Sequence, residues 1–215
     1  MTVLSKENSI LNQYIAEIRD AEIQKDSMRF RMNLERLGEL FAIQISRELS
    51  FETREVTTPL GIANVPVLTE YPVLATILRA GLPFHQGFLR IFDQSENAFI
   101  SAFRKFEKDG SFSLGIEYAS IPDIDNKVVI LTDTMLASGS SMLLVYRELI
   151  RRGKPKHTFI ATIMASVEGL NQVRKHVPQK SVTLLLGVVD DELTAQSFIV
   201  PGLGDAGDLA FGKKI

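Results

Sequence analysis

Val128-Val129-Ile130-Leu131-Thr132-Asp133-Thr134-Met135-Leu136-Ala137-Ser138-Gly139-Ser140-Ser141 joins a short apolar run, an acidic residue and a chain of small residues opening onto a helical pattern. Unbroken apolar runs of this length suit strands buried on both faces. Similar runs stand at Pro72 to Leu78, Ala98 to Phe103, Phe159 to Ile163 and Val182 to Val189. Helical candidates lie between them, at about Pro83 to Phe92, Ser141 to Arg152 and Glu168 to His176. The alternation predicts an α/β fold, a doubly wound, mostly parallel sheet. One segment breaks it: Phe99 to Phe106 and Ser113 to Tyr118 flank the turn cluster Lys108-Asp109-Gly110-Ser111, which predicts a hairpin over about 98–120. Before the first run, apolar residues from Asn8 to Leu49 recur at three and four, giving two helices parted near Lys25-Asp26-Ser27. No linker divides the chain, so residues 1–215 are expected to form a single domain with a helical N-terminal region over 1–50.

Composition narrows the classes. The 215 residues are 45% hydrophobic and 23% charged, with 26 acidic against 24 basic side chains. That balance offers no positive field for a nucleic acid. Zero cysteines remove disulfides, thiolate metal sites and a thiol nucleophile, and fit a reducing, cytoplasmic setting. No apolar stretch approaches the roughly 20 residues that cross a bilayer, so no membrane partner is expected.

Ligands of open α/β sheets sit at the carboxyl ends of the strands. There the run Ala137 to Ser141 lets backbone N–H groups crowd round an anion at a helix N-terminus, which makes it a candidate phosphate cradle. Asp133, just before it, can accept hydrogen bonds from the hydroxyls of a ribose carried by that phosphate. The same serines would equally cap a helix. No lysine follows the loop, which excludes the triphosphate-binding P-loop.

Near the end, Ile199-Val200-Pro201-Gly202-Leu203-Gly204-Asp205-Ala206-Gly207-Asp208 contains a G-x-G-x-x-G pattern. Only eight residues follow Gly207, too few for the second strand of a dinucleotide-binding unit. A glycine-rich loop with exposed backbone, spanning 199–215, can instead hydrogen-bond the edge of a flat polar molecule. A flexible tail is the alternative.

Together these residues closely resemble the uracil phosphoribosyltransferases. The resemblance rests on Pro201 to Asp208 with Phe211-Gly212, on Leu78-Arg79-Ala80-Gly81-Leu82, on Asp133 to Gly139 and on Arg29-Phe30-Arg31. It implies a type I phosphoribosyltransferase fold, a homodimer or higher homo-oligomer, and transfer of the phosphoribosyl group of 5-phosphoribosyl 1-diphosphate to uracil, giving UMP in pyrimidine salvage. It also implies a Mg²⁺ ion carried by the diphosphate. By the same resemblance Asp133, Thr134, Met135, Leu136, Ala137, Ser138, Gly139, Ser140 and Ser141 hold ribose and 5-phosphate, and Arg79 and Arg104 meet the diphosphate. Ile199, Gly204, Asp205 and Ala206 face uracil, with Asp133, Asp205 and Arg79 carrying the chemistry. The acceptor of the N1 proton stays open between Asp205, a phosphate oxygen and water.

The chain departs from the family pattern in three places. Thr134 stands where the family usually has proline, Ser138-Gly139-Ser140-Ser141 replaces Thr-Gly-Gly-Ser, and no lysine stands near Ala119. A β-carbon at Ser140 restricts the backbone where a phosphate approaches. These departures keep two other readings open: transfer to a different nucleobase, and a non-catalytic sensor of the same ligands. His85, His157 and His176 show no metal-ligand spacing. Asp190-Asp191-Glu192 ends a strand and offers a metal-binding alternative, but reads first as a solvated acidic turn, and Arg151-Arg152-Gly153-Lys154 reads as a helix end complementing its dipole.

Overall fold

The period-two pattern of the buried strands shows how this chain builds its core. On the strand Val128–Leu136, Ile130 joins one apolar cluster while Val129 and Leu131 join another. The strand Val182–Asp190 splits the same way, with Leu185 on one side and Leu184 and Leu186 on the other. Both faces are therefore covered, as a parallel sheet wrapped by helices requires. The computed structural model describes residues 1–106 and 112–213; the side chains of 104–106 and 112–114 are also outside the description.

In chain order the elements are β1 (Thr2–Val3), α1 (Ile10–Arg19), α2 (Ser27–Ser46), β2 (Phe51–Thr58), β3 (Gly61–Leu68), β4 (Val73–Leu78), α3 (Gly81–Ile91), β5 (Asn97–Phe106), β6 (Phe112–Ser120), β7 (Val128–Leu136), α4 (Ser140–Arg152), β8 (His157–Ser166), α5 (Val167–His176), β9 (Val182–Asp190), β10 (Glu192–Leu193), β11 (Ile199–Val200) and α6 (Ala206–Phe211). Seven strands form one sheet in the order β1-β9-β8-β7-β4-β5-β6, parallel except for the β5–β6 pair. From β4 the chain winds outward to β5; from β7 it winds the other way, to β8 and β9. The winding reverses between β4 and β7, so their carboxyl ends open the crevice where such sheets take ligands.

Helices α1, α2 and α3 pack on one face and α4 and α5 on the other. Asp26 caps α2, its side chain accepting from the N–H groups of Met28 and Arg29. Where α2 crosses α3, Gly38 and Gly87 let the backbones meet: a β-carbon on Gly87 would strike the Glu35 carbonyl and approach Glu39 N to 2.7 Å. This crossing fixes α3, whose first turn follows directly on Arg79.

Three features differ from the sequence expectations. The region 1–50 carries a strand, β1, beside its helices, paired in parallel with β9. Residues 51–68 form a second antiparallel hairpin, β2–β3, in register from Phe51–Leu68 to Thr58–Gly61. Most of it is exposed on both faces, so it shows no alternation of buried and polar positions to read. The segment 199–215, expected to be a loop, contains helix α6, because the Asp205 side chain accepts from Asp208 N and caps it. The expected turn Lys108-Asp109-Gly110-Ser111 lies outside the described residues.

Candidate active site

Strand β7 continues five residues past its apolar run, pairing Asp133 with Thr162 and Leu136 with Ala165 of β8. This carries Asp133 to the carboxyl edge of the sheet. There its Oδ1 accepts from the Thr134 backbone N–H at 2.7 Å, a donor that proline would lack, and from the Thr134 hydroxyl at 3.5 Å. Some of Asp133 stays open to the crevice, but burial of the carboxyl pushes its pKa up to about 7, against the lowering effect of the Thr134 and Met135 N–H groups.

Past β7 the small-residue turn leads into α4. Gly139 adopts φ 80° as its N-cap residue, a left-handed conformation that favours glycine. Ser140 lies inside α4 without a positive φ, so its β-carbon meets no backbone constraint there. From behind, Ser166 Oγ donates to the Ala137 carbonyl at 2.6 Å and accepts from Gly169 N at 2.8 Å. A β-carbon on Gly169 would strike that same carbonyl. Ser166 and Gly169 therefore buttress the turn, and neither was evident in the sequence.

From β4 comes Arg79, whose peptide bond with Leu78 is cis. Its Nη2 donates to Asp208 Oδ1 at 3.2 Å and to the Gly212 carbonyl at 3.4 Å, both on α6 or its C-cap.

The third wall is the C-terminal loop, anchored from below. Asp190 is 7% exposed and binds Arg19 with both carboxylate oxygens, at 2.7 and 2.8 Å. It also accepts from Gly202 N at 3.0 Å, while Arg19 Nη1 donates to the Gly202 carbonyl at 3.1 Å. The solvated acidic turn expected at Asp190 is therefore corrected: its carboxylate is buried and pins the loop. Arg29 and Arg31 serve the same frame. Arg29 pairs with Glu17, and Arg31 Nη1 donates to the Ala210 carbonyl at the end of α6.

A cleft of about 1010 Å³ collects these walls. It is lined by Arg79, Asp133, Thr134, Met135, Ala137, Ser141, Gly204, Asp205 and Ala206 from the sequence-derived set, joined by Phe103, Glu117, Phe198 and Lys213 among others. Phe103 and Glu117 stand on the hairpin strands and Phe198 and Lys213 beside or within the C-terminal segment, and none of the four was among the residues singled out for the site. Ser138, Gly139 and Ser140 form the turn between two of these lining residues, Ala137 and Ser141. Leu136 and Ile199 point elsewhere: both are buried in the apolar clusters, at 1% and 3% exposure, because the strand alternation turns them inward. Arg104 lies on β5 opposite Leu114, with its side chain outside the described residues. Ala119, opposite Ile100, packs partly buried against the core. His85 is buried against Asn97 at 2.8 Å, away from the cleft.

Among the described residues no three Asp, Glu or His gather as a metal cage. The cleft does offer the separate carboxylates Asp133, Asp205 and Glu117. That donor set suits Mg²⁺ arriving on phosphate oxygens and needing one or two carboxylates. No described helix is long and apolar enough to cross a membrane.

Comparison with known proteins agrees over the whole chain. The family model described as "Uracil phosphoribosyltransferase" matches residues 5–213. A uracil phosphoribosyltransferase of Porphyromonas gingivalis is 50% identical over 212 residues, covering 99% of this chain and 98% of that protein. One from Methanothermobacter thermautotrophicus is 35% identical, covering 96% and 94%. Among solved structures, the AQ2163 protein of Aquifex aeolicus superposes with a TM-score of 0.86 at 26% identity, over 100% of both chains. With its small-residue turn, its arginine loop and its glycine-rich C-terminal wall on one cleft, and with relatives matching along its whole length, this chain belongs to the uracil phosphoribosyltransferase family.

Proposed function

We propose that the chain transfers the phosphoribosyl group of 5-phosphoribosyl 1-diphosphate to N1 of uracil, releasing pyrophosphate and UMP. The observation that carries this is the convergence of the Arg79 loop, the Asp133 to Ser141 turn and the Gly204-Asp205 loop on a single cleft. In this reading the backbone N–H groups of Ala137 to Ser141 hold the 5-phosphate, and Asp133 accepts the ribose hydroxyls. Gly204, Asp205 and Ala206 present backbone and carboxylate to the uracil edge, whose carbonyls need donors and whose N3–H needs an acceptor.

As the C1–O bond to diphosphate breaks and the C1–N1 bond forms, negative charge builds on the leaving group. Arg79, with Arg104 as its proposed companion, meets that charge with guanidinium forks that stay protonated throughout. Bound Mg²⁺, held through the diphosphate and the Asp133 and Asp205 carboxylates, would add neutralising charge. The remaining contribution is positioning of nucleophile and electrophile in line.

The proposal extends to residues 1–215 acting as one domain in the cytoplasm, where phosphorylated substrates are confined. It extends also to a homo-oligomer: the β2–β3 hairpin exposes Val56, Leu60, Ile62 and Val65, a surface suited to a second copy. Sedimentation of the purified chain tests the last point.

Incubating the protein with uracil, 5-phosphoribosyl 1-diphosphate and Mg²⁺ should give UMP, and the Asp133→Ala variant should not. Binding of the diphosphate substrate without UMP formation would overturn the uracil assignment.

A further inference from the structure

The second aspartate of Gly204-Asp205-Ala206-Gly207-Asp208 has no part in the mechanism above. Its place is nevertheless closely determined. Asp205 Oδ1 takes the Asp208 N–H at 2.9 Å and so fixes Asp208 in the first turn of α6, from where its carboxylate meets Arg79 Nη2 at 3.2 Å. Gly212, at the other end of α6, offers its carbonyl to the same nitrogen at 3.4 Å. Gly207 lies between: a β-carbon there would sit 3.2 Å from Asp205 Oδ1 and 3.7 Å from Arg79 Nη2. Arg79 thus lies across the helix that ends the base-facing loop.

This pair has little to do with stability. The Arg79 and Asp208 side chains are 38% and 33% exposed, a setting in which ion pairs contribute little. Arg79 Nε is buried without a partner among the described residues. Among the described residues one nitrogen, Nη2, takes both protein bonds, which leaves Nη1 for a ligand. An arginine held by a single nitrogen is oriented rather than neutralised.

We propose that Asp208 is the positioning residue for Arg79, tying the diphosphate loop to the base loop so that each ligand strengthens the binding of the other. The inference rests on the functional reading above, in which Arg79 meets the diphosphate and the loop before α6 meets the base. Setting α6 against the base sets Asp208, and Asp208 sets the Arg79 fork before the diphosphate arrives. Coupling of this kind is reciprocal. Pre-orientation lowers the ordering cost of a long side chain.

Inorganic pyrophosphate and uracil cannot react with one another, so their coupling is measurable without turnover. Calorimetric titration with pyrophosphate and Mg²⁺, with and without saturating uracil, should show uracil tightening pyrophosphate binding in the natural chain. In Asp208→Asn that factor should fall to near one, and pyrophosphate alone should bind roughly 3- to 10-fold more weakly. Asp208→Glu, keeping the charge, should restore part of the coupling, while the melting temperature of both variants stays close to that of the natural chain. A natural chain that shows no coupling, or an Asp208→Asn variant with unchanged coupling or tighter pyrophosphate binding, overturns the inference and leaves the functional reading standing. A natural chain that does not bind pyrophosphate overturns both.

Discussion

Arg19, at the end of α1, binds both carboxylate oxygens of Asp190, 171 residues further along the chain at the end of β9. The pair lies under the Pro201-Gly202 corner and holds it through one bond from each partner. Removing Asp190 leaves a half-buried guanidinium and the Gly202 N–H without their acceptor, which is far costlier than the pair is stabilising. Asp190→Ala should therefore lose about 3 kcal/mol in urea unfolding. Its KM for uracil should rise more than its KM for 5-phosphoribosyl 1-diphosphate, since the loop it frees is the base wall.

Asp133 gives a pH dependence of a definite sign. Burial pushes its carboxyl up to about 7 in the folded chain, against 3.8 for an ordinary aspartate, so between those values the folded state keeps a proton that the unfolded state releases. Stability should fall as pH rises from about 4 to about 7, and level off above. Asp133→Asn removes the ionisation and retains an oxygen for the Thr134 N–H. At pH 8 the variant should be more stable than the natural chain by about 2 kcal/mol, after discounting for the open crevice. At pH 4 the difference should vanish, and UMP formation should be lost at both. Thermal unfolding across that pH range measures it.

The sheet was legible because its strands are buried on both faces and so carry unbroken apolar runs, and the turn into α4 because a run of small residues follows Asp133 directly. The hairpin β2–β3 was not, since Phe51 to Leu68 bury neither face and no periodicity marks them. Asp190 was misread for a different reason. Its partner Arg19 is distant in sequence, and an acidic run beside a strand end looks the same whether it is solvated or paired. Phe198 and Glu117 reached the cleft through loop and hairpin placement that no local pattern encodes. Arg29-Phe30-Arg31, by contrast, carried part of the resemblance but serves packing: Phe30 is 1% exposed, and its neighbours tie α2 to α1 and α6.

The α2–α3 crossing should tolerate no side chain at Gly87. An added β-carbon meets the Glu35 carbonyl, Glu39 N and Gly38 Cα, all backbone atoms of a packed helix that cannot swing aside. Gly87→Ala should cost about 2 kcal/mol or more despite the better helix propensity of alanine. Because α3 begins just after Arg79, the same change should weaken pyrophosphate binding at a temperature where the chain is still folded. Unchanged unfolding would mean that the helices can separate without loss.

Gly139 sits in the small-residue turn as the N-cap residue of α4. Its φ of 80° is unfavourable for alanine by roughly 1–2 kcal/mol. A β-carbon would also lie 3.0 Å from the Gly169 carbonyl and 3.1 Å from Val173 Cγ2. Gly139→Ala should therefore tilt the first turn of α4 and misdirect the N–H groups proposed to hold the 5-phosphate, without moving Arg79. Ribose 5-phosphate, which carries only that phosphate, should bind roughly tenfold more weakly, in line with the conformational cost. Pyrophosphate, which needs only the Arg79 side, should bind within about twofold of the natural chain. If both affinities fall together, the turn acts on the whole cleft, and the division of the two phosphate groups between the two loops is wrong.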